Sequence, residues 1–511
     1  MPSSTVQLDG ESLTFAQLYE VALGPRSAQV SVAPAAAQRM RESRAVVERV
    51  IAANETAYGV NTGFGELAEV HISRGQILQL QLNLVRSHCC GVGAPLSEIE
   101  TRAMMLLRAN ALAKGFSGVR PLVVETLCAM LNAGVHPVIP SQGSVGASGD
   151  LAPLAHLAAV VIGEGEAIFQ GARCSGGESM KRAGIAPVVL EAKEGLSLLN
   201  GTQGMLALIS LALRAASILC DSADVAAALT LDALRGSPAA FDLRIANARP
   251  HPGAAITARN LSRLNKGSEI RESHRSSTED RRVQDAYSVR CTPQVHGAAR
   301  DSIALAQAVA QIELNSATDN PLVFTGGGKG EIISGGNFHG QPLAMIADQI
   351  AVALATLGGI SERRIAQMTN PLTSMLPAFL TKNPGLNSGF MIAQVAAASL
   401  ASELKALSAP HSVDSIPTSG DQEDYVSMGM SAARRLAPMI ANLERIIAIE
   451  LLCAVQGIDL LAPLRTGAEA RHACELVRSR AKMLEDDRPL APDIEAVTAI
   501  VREGKFSQIF G

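Results

Sequence analysis

Two stretches of this chain, 204–231 and 387–407, carry Ala, Leu, Ile and Val on almost every side of a 3.6-residue period. A helix that is apolar all round offers no face to water, so it belongs inside a bundle or between subunits. The same period predicts helices over 35–53 (with Pro34 in the first turn), 97–113, 151–162, 293–314, 341–358 and 430–461. The fold class expected is therefore mainly α. A short strand pair is expected at 322–324 and 332–333, around the turn Gly326-Gly327-Gly328. No internal repeat is visible.

Length alone, 511 residues, suggests about three domains, although a long-helix architecture absorbs such a chain whole. Only 18% of residues are charged and 47% are hydrophobic, which again calls for a large core or subunit interfaces. A net charge of −4 gives no electrostatic reason to expect nucleic acid or an acidic membrane as partner. The apolar run from Met205 to Leu213 stops at Arg214, short of the roughly 20 residues a span needs. The start, Met1-Pro2-Ser3-Ser4, has neither a basic segment nor an apolar one to follow it, so no leader is expected. Eight Cys without a CxxC pair point to reduced thiols in a cytoplasmic oligomer.

The unusual polar residues lie in Gly-, Ser- and Asn-rich connectors: 58–65, 141–150, 200–203, 266–290, 334–339 and 417–425. Rigid helices that display polar loops divide scaffold from site. The part 266–282 is the most charged and reads either as a mobile lid or as a solvated surface loop. Standard cofactor motifs fail one by one. Gly326-Gly327-Gly328-Lys329-Gly330 lacks the Ser or Thr of a P-loop, and 143–149 is not GxGxxG. The ten His are dispersed, none at metal-ligand spacing, so no metal and no external cofactor is expected.

The run Ser144-Val145-Gly146-Ala147-Ser148-Gly149-Asp150-Leu151-Ala152-Pro153-Leu154 closely resembles the prosthetic-group segment of the aromatic amino-acid ammonia-lyases. Further matches fall in order through the polar loops: Tyr58-Gly59-Val60-Asn61-Thr62-Gly63-Phe64-Gly65, Leu199-Asn200-Gly201-Thr202-Gln203, Gln284-Asp285-Ala286-Tyr287-Ser288-Val289-Arg290, and Gly336-Asn337-Phe338-His339-Gly340. The resemblance runs from about residue 8 to the C-terminus. It implies the long central helix bundle of the fumarase/aspartase-like superfamily, with a smaller α-rich N-terminal part, 1–200, that bears the Tyr loop and the Ala-Ser-Gly loop. The remainder, 201–511, would hold the bundle and a C-terminal helical region.

The resemblance also implies a self-made electrophile, 4-methylideneimidazol-5-one. The Gly149 nitrogen attacks the Ala147 carbonyl carbon and water leaves, closing an imidazolinone cross-link between Ala147 and Gly149. Loss of the Ser148 hydroxyl as a second water makes Ser148 a 2,3-didehydroalanine. By the same resemblance Tyr58, one of only four Tyr in the chain, is the β-proton base, which needs a pKa near neutrality. Asn200 and Tyr287 contact the prosthetic group, and Arg290 clamps the substrate carboxylate. His88, Gln284 and Glu423 orient the substrate side chain, and Phe338 shapes its pocket. Capture of the amino group and attack by the aromatic ring both remain open as routes. By the resemblance Asp150 assists ring formation. Plainer readings stand beside these: Arg290 as an interface ion pair, His88 as packing, Asp150 as a helix N-cap.

Ser87-His88 and Gln422-Glu423-Asp424 lean the resemblance toward members acting on L-histidine, which yield trans-urocanate and ammonia in the first step of histidine breakdown. A carboxylate such as Glu423 needs a donor when buried, and an imidazole N–H is one whereas a phenyl ring is not. Cys89-Cys90, Leu404, Asp421 and Tyr425 depart from the usual pattern. A tyrosine or phenylalanine lyase, a 2,3-aminomutase, and an inactive helical scaffold therefore remain alternatives. The family forms homotetramers whose sites draw loops from three chains, acting on a small amino acid.

Overall fold

The computed structural model describes residues 5–24, 28–63, 69, 72–275 and 283–510. Phe64 and Gly65 of the Tyr loop, residues 276–282 of the expected lid, and Met1 to Ser4 lie outside them. The chain forms two compact units, each discontinuous: Met1–Leu211, Gln307–Ala347 and Pro410–Arg434 in one, Ala212–Ala306, Asp348–Ala409 and Arg435–Gly511 in the other. The first boundary, at 211, falls within a helix, and two later segments rejoin the first unit, whereas the two continuous stretches expected were divided at 200.

In the first unit, Ser97 caps the helix Glu98–Ala113 in a capping box with Glu100, and every residue from Thr101 to Ala113 is buried. The apolar helix Leu151–Val161 starts directly after the Ala-Ser-Gly loop. Small sheets brace the edges. Thr5–Leu8 pairs in parallel with Gln29–Val32, Thr5 opposite Gln29. Val135–Pro137, Glu166–Phe169 and Ala172–Ser175 form an antiparallel three-stranded sheet. The expected hairpin forms, Leu322–Phe324 against Glu331–Ile333.

The second unit is built on the helix Leu436–Leu460, buried on all sides from Ile446 to Ile458 and packed against Met391–Leu407 and Ala491–Arg502. A polar chain runs through this apolar interior. Glu450 accepts from Thr230 Oγ1 (2.8 Å), Ser361 Oγ (2.6 Å) and Arg364 (2.5 and 2.9 Å). Arg364 reaches His296 (3.2 Å), whose Nδ1 meets Asp224 (2.7 Å). Within 266–275 the chain is anchored at one point: Ser268 caps a turn of helix at Glu269–Glu272 and donates to Asp232 (3.0 Å), while Ile270 is wholly buried.

Helix ends differ from expectation where local contacts override periodicity. The helix from Gln341 continues to Thr369, past Gly358, where a Cβ would lie 2.4 Å from the Leu404 side-chain tip, so the two helices pack closely there. The stretch expected from 387 begins at Met391, because the N–H groups of Ser388 and Gly389 donate to Asp487 instead (2.7 and 2.9 Å). The stretch 430–461 is two helices, Gly429–Arg434 and Leu436–Leu460. The helices Gln203–Ala233 and Gln341–Thr369 are long and apolar enough to cross a membrane, which the reading from Arg214 missed; 72% and 67% of their most apolar windows are buried within the protein. Burial of that extent is what core helices show.

Candidate active site

The Ala-Ser-Gly loop is held from both sides. On one side, Gly146 O accepts from Ser427 Oγ (2.9 Å) and Gly340 N (3.1 Å), and Met428 N donates to Val145 O (2.8 Å). On the other, Gly149 bridges to Gly201: Asp150 N donates to Gly201 O (2.7 Å) and Gly201 N to Ser148 O (3.3 Å). Asn200 Nδ2 adds a second donor to Ser148 O at 3.1 Å. Gly149 has φ +72, and a Cβ there would stand 2.0 Å from Gly201 O, so only glycine permits this approach.

Tyr58 is positioned by the turn it sits in. Asn61 closes the turn, its Oδ1 accepting from Ala57 N (2.9 Å) and its Nδ2 donating to Glu55 O (2.9 Å). Val60 anchors the turn in an apolar cluster with Val46, Val47, Ile77, Ala192 and Val323. Burying such a side chain stabilises by about 1.5–3 kcal/mol.

These segments surround a cavity of about 410 Å³ whose lining includes Tyr58, Ala147, Ser148, Asn200, Phe338 and Glu423. That size suits a small-molecule ligand. Six of the eleven expected site residues thus meet there, and Gly149 adjoins them. Glu423 is held by its neighbours: Oε1 accepts from Ser148 Oγ (2.9 Å) and Oε2 from Thr418 Oγ1 (2.6 Å). His88 is half-buried, with Nδ1 on the Leu84 carbonyl (2.9 Å), which can only accept, so that nitrogen carries the proton. Burial lowers the His88 pKa, against the Leu84 carbonyl and the negative charge of Glu423, and His88 is not among the residues lining the cavity.

Gln284, Tyr287 and Arg290 belong to the other unit and are not among the residues lining this cavity. Gln284 is exposed, Tyr287 is 75% exposed, and the Arg290 guanidinium lies 5.8 Å from the Tyr287 ring centre. The departures have local accounts. Asp421 adopts φ +68, a conformation Asp and Asn tolerate better than most residues. Tyr425 stacks on His339, ring centres 6.2 Å apart. Leu404 is buried against Gly358.

Asp150 is a correction. It precedes the helix Leu151–Val161, but its side chain makes no cap hydrogen bond. It turns inward, accepting from Met205 N (2.7 Å) and Ser144 Oγ (3.0 Å). Burial lifts its carboxyl to about 6 against the pull of those donors. Sequence reasoning missed Asn320, which receives Gly335 N (2.6 Å) at the cavity wall, and His339. It also missed Arg108, whose signal was a lone cation inside Met104-Met105-Leu106-Leu107-Arg108-Ala109.

A helical scaffold thus presents an Ala-Ser-Gly bend, a tyrosine and a carboxylate around one cavity. The chain belongs to the aromatic amino acid lyase family, whose model matches residues 13–479, and its relatives make it a carbon–nitrogen lyase of the ammonia-lyase class. It is 54% identical to the histidine ammonia-lyase of Koribacter versatilis (strain Ellin345), over 98% of each chain. The solved structure of histidine ammonia-lyase from Trypanosoma cruzi superposes with TM-score 0.91 at 44% identity, covering 99% of this chain and 94% of that one. Tyrosine aminomutase from Streptomyces globisporus is as similar in fold, with TM-score 0.93, 39% identity, and 99% and 98% covered.

Proposed function

We propose that this enzyme converts L-histidine to trans-urocanate and ammonia, in the cytoplasm, as a homotetramer that completes each site with loops of neighbouring chains. The observation that carries the substrate assignment is the Glu423 carboxylate lining the cavity, 2.9 Å from Ser148 Oγ. Relatives at about half identity over the whole chain bear the histidine ammonia-lyase name, which supports the same reading.

The residues present fit a 4-methylideneimidazol-5-one built from Ala147-Ser148-Gly149. Gly149 already has the bend that brings residues 147–149 together, Ala147 is buried, and Ser148 O receives two donors. Among the described residues Asn200 Oδ1 is buried without a hydrogen-bond partner, an acceptor left for a bound group. When formed, the group supplies an electrophile for the substrate's amino nitrogen, which makes that nitrogen a better leaving group.

The chain's own residues would do the rest. Tyr58 takes the β-proton on its phenol oxygen. The Asn200 amide and the Gly201 N–H stabilise negative charge on the Ser148 carbonyl oxygen. Loss of the Ser148 hydroxyl frees Glu423 Oε1 to accept from the imidazole N–H, while Thr418 keeps the other oxygen in place. Phe338 walls the ring in. Arg290 of a neighbouring chain would take the substrate carboxylate as a two-pronged ion pair, and Gln284 and Tyr287, exposed here, would enter the site with it. Ultraviolet assay of urocanate formation, beside tyrosine and phenylalanine as controls, tests the assignment. Turnover of tyrosine or phenylalanine in preference to histidine would overturn it.

A further inference from the structure

Arg108 sits mid-helix in Glu98–Ala113 and is 1% exposed. Desolvating a guanidinium is costly unless a counter-charge or several acceptors receive it. Among the described residues no carboxylate forms an ion pair with Arg108, and Asp319 acts on it only at longer range. All its described hydrogen bonds go to one short segment: Nη1 to Asn200 O (2.9 Å) and Gln203 Oε1 (2.7 Å), Nη2 to Ser197 O. Burial pulls its pKa down to about 10, which still leaves it charged at neutral pH.

The segment that receives this charge is the one that grips the Ala-Ser-Gly bend. Asn200 C=O and Gly201 N–H are the two ends of a single peptide group. Arg108 binds one end, and the other donates to Ser148 O at 3.3 Å. A cation on the carbonyl end polarises the peptide and strengthens the bond its N–H donates. Gly201 has no room for a side chain, since a Cβ would stand 2.5 Å from Arg108 Nη1. We propose that Arg108 is a positioning residue for the reaction, which holds the Asn200–Gly201 peptide and relays positive charge through it to the Ser148 carbonyl oxygen. That oxygen is where negative charge develops when a nucleophile adds at the Ser148 β-carbon. The inference rests on the proposed cyclisation of residues 147–149. A merely structural Arg108 would leave the electrophile's reactivity unchanged in any variant that folds.

The test uses full-length R108M and R108K with two readouts besides turnover: intact mass, and the rate at which nitromethane adds to the protein. The nitromethane carbanion forms one carbon–carbon bond at the Ser148 β-carbon, a proton from water restores neutrality, and nothing leaves. The oxyanion donors of other enzymes are worth about 10²–10³ in rate, so a relayed one should cost about 10–100-fold. R108M, folded by circular dichroism, is expected either to stay at the translated mass or to add nitromethane and turn over about 10–100-fold more slowly, with KM little changed. R108K, which keeps the charge but not the fork, should fall between. If R108M does not fold, R108K decides, and a slowed addition at unchanged KM supports the relay. Wild-type addition rates in a folded, cyclised R108M, or in R108K where R108M is unfolded, would overturn the inference. A wild-type protein at full translated mass would instead remove the cyclisation reading beneath it.

Discussion

Ser148 Oγ donates to Glu423 Oε1 at 2.9 Å, so the hydroxyl that cyclisation would remove is the donor now satisfying the carboxylate proposed to read the substrate. Loss of one uncovers the other. Glu423→Gln should therefore cost histidine turnover a charge-assisted hydrogen bond of about 1.5–3 kcal/mol, about 10–100-fold in kcat/KM. Steady-state urocanate formation checks this, and histidine turnover untouched by the change would contradict it.

Tyr58→Phe removes only the phenol oxygen from a turn that Asn61 and Val60 hold independently. Loss of a general base is worth about 10²–10⁴ in rate. Turnover should fall by that much while the intact mass stays at the cyclised value, which separates proton transfer from ring formation.

Gly201→Ala places a methyl group 2.5 Å from Arg108 Nη1 and from Gln203 Oε1. The grip on Ser148 O should loosen, with a stability loss of about 1–3 kcal/mol for the strained backbone. Denaturant titration reads the stability, and a protein of wild-type stability would contradict the packing described.

Asp150 carries a pH signature. Its folded value of about 6 stands above the unfolded carboxylate value of about 3.9, so the native state binds this proton more tightly. The stability it contributes is full below about pH 4 and is lost as pH rises through about 6, a change of about 3 kcal/mol. Asp150→Asn should flatten that part of the profile when thermal denaturation of both proteins is followed from pH 4 to 7.

In the other unit, Arg364→Met leaves Glu450 with Thr230 and Ser361 as its remaining donors. Breaking a buried ion pair by removing one partner costs about 3–5 kcal/mol. Calorimetry should show a correspondingly lower unfolding temperature.

Periodicity carried the long helices, because burying an apolar surface is their dominant energy, and the turn Gly326-Gly327-Gly328 carried its hairpin. Periodicity failed at helix ends, which single contacts decide: Asp487 taking the N–H groups of Ser388 and Gly389, or Gly358 fitting against Leu404. The Ala-Ser-Gly bend was legible only in company: alone it reads as a common turn and helix start, and the ordered matches in the loops of Tyr58, Asn200, Arg290 and Phe338 gave it meaning. Arg108 was not, since one cation in an apolar helix says nothing of which carbonyl it will meet 92 residues on. For Asp150 the sequence left a cap and a role in ring formation open, and it could not separate them because the donors it meets, Met205 N and Ser144 Oγ, are not in the first turn of its own helix.

The most direct test of the central claim is the mass of the peptide spanning Ala147, Ser148 and Gly149, taken from protein that is actively releasing ammonia from histidine. The account predicts a peptide lighter by two waters than its translated sequence. The full translated mass in such an active preparation would contradict it.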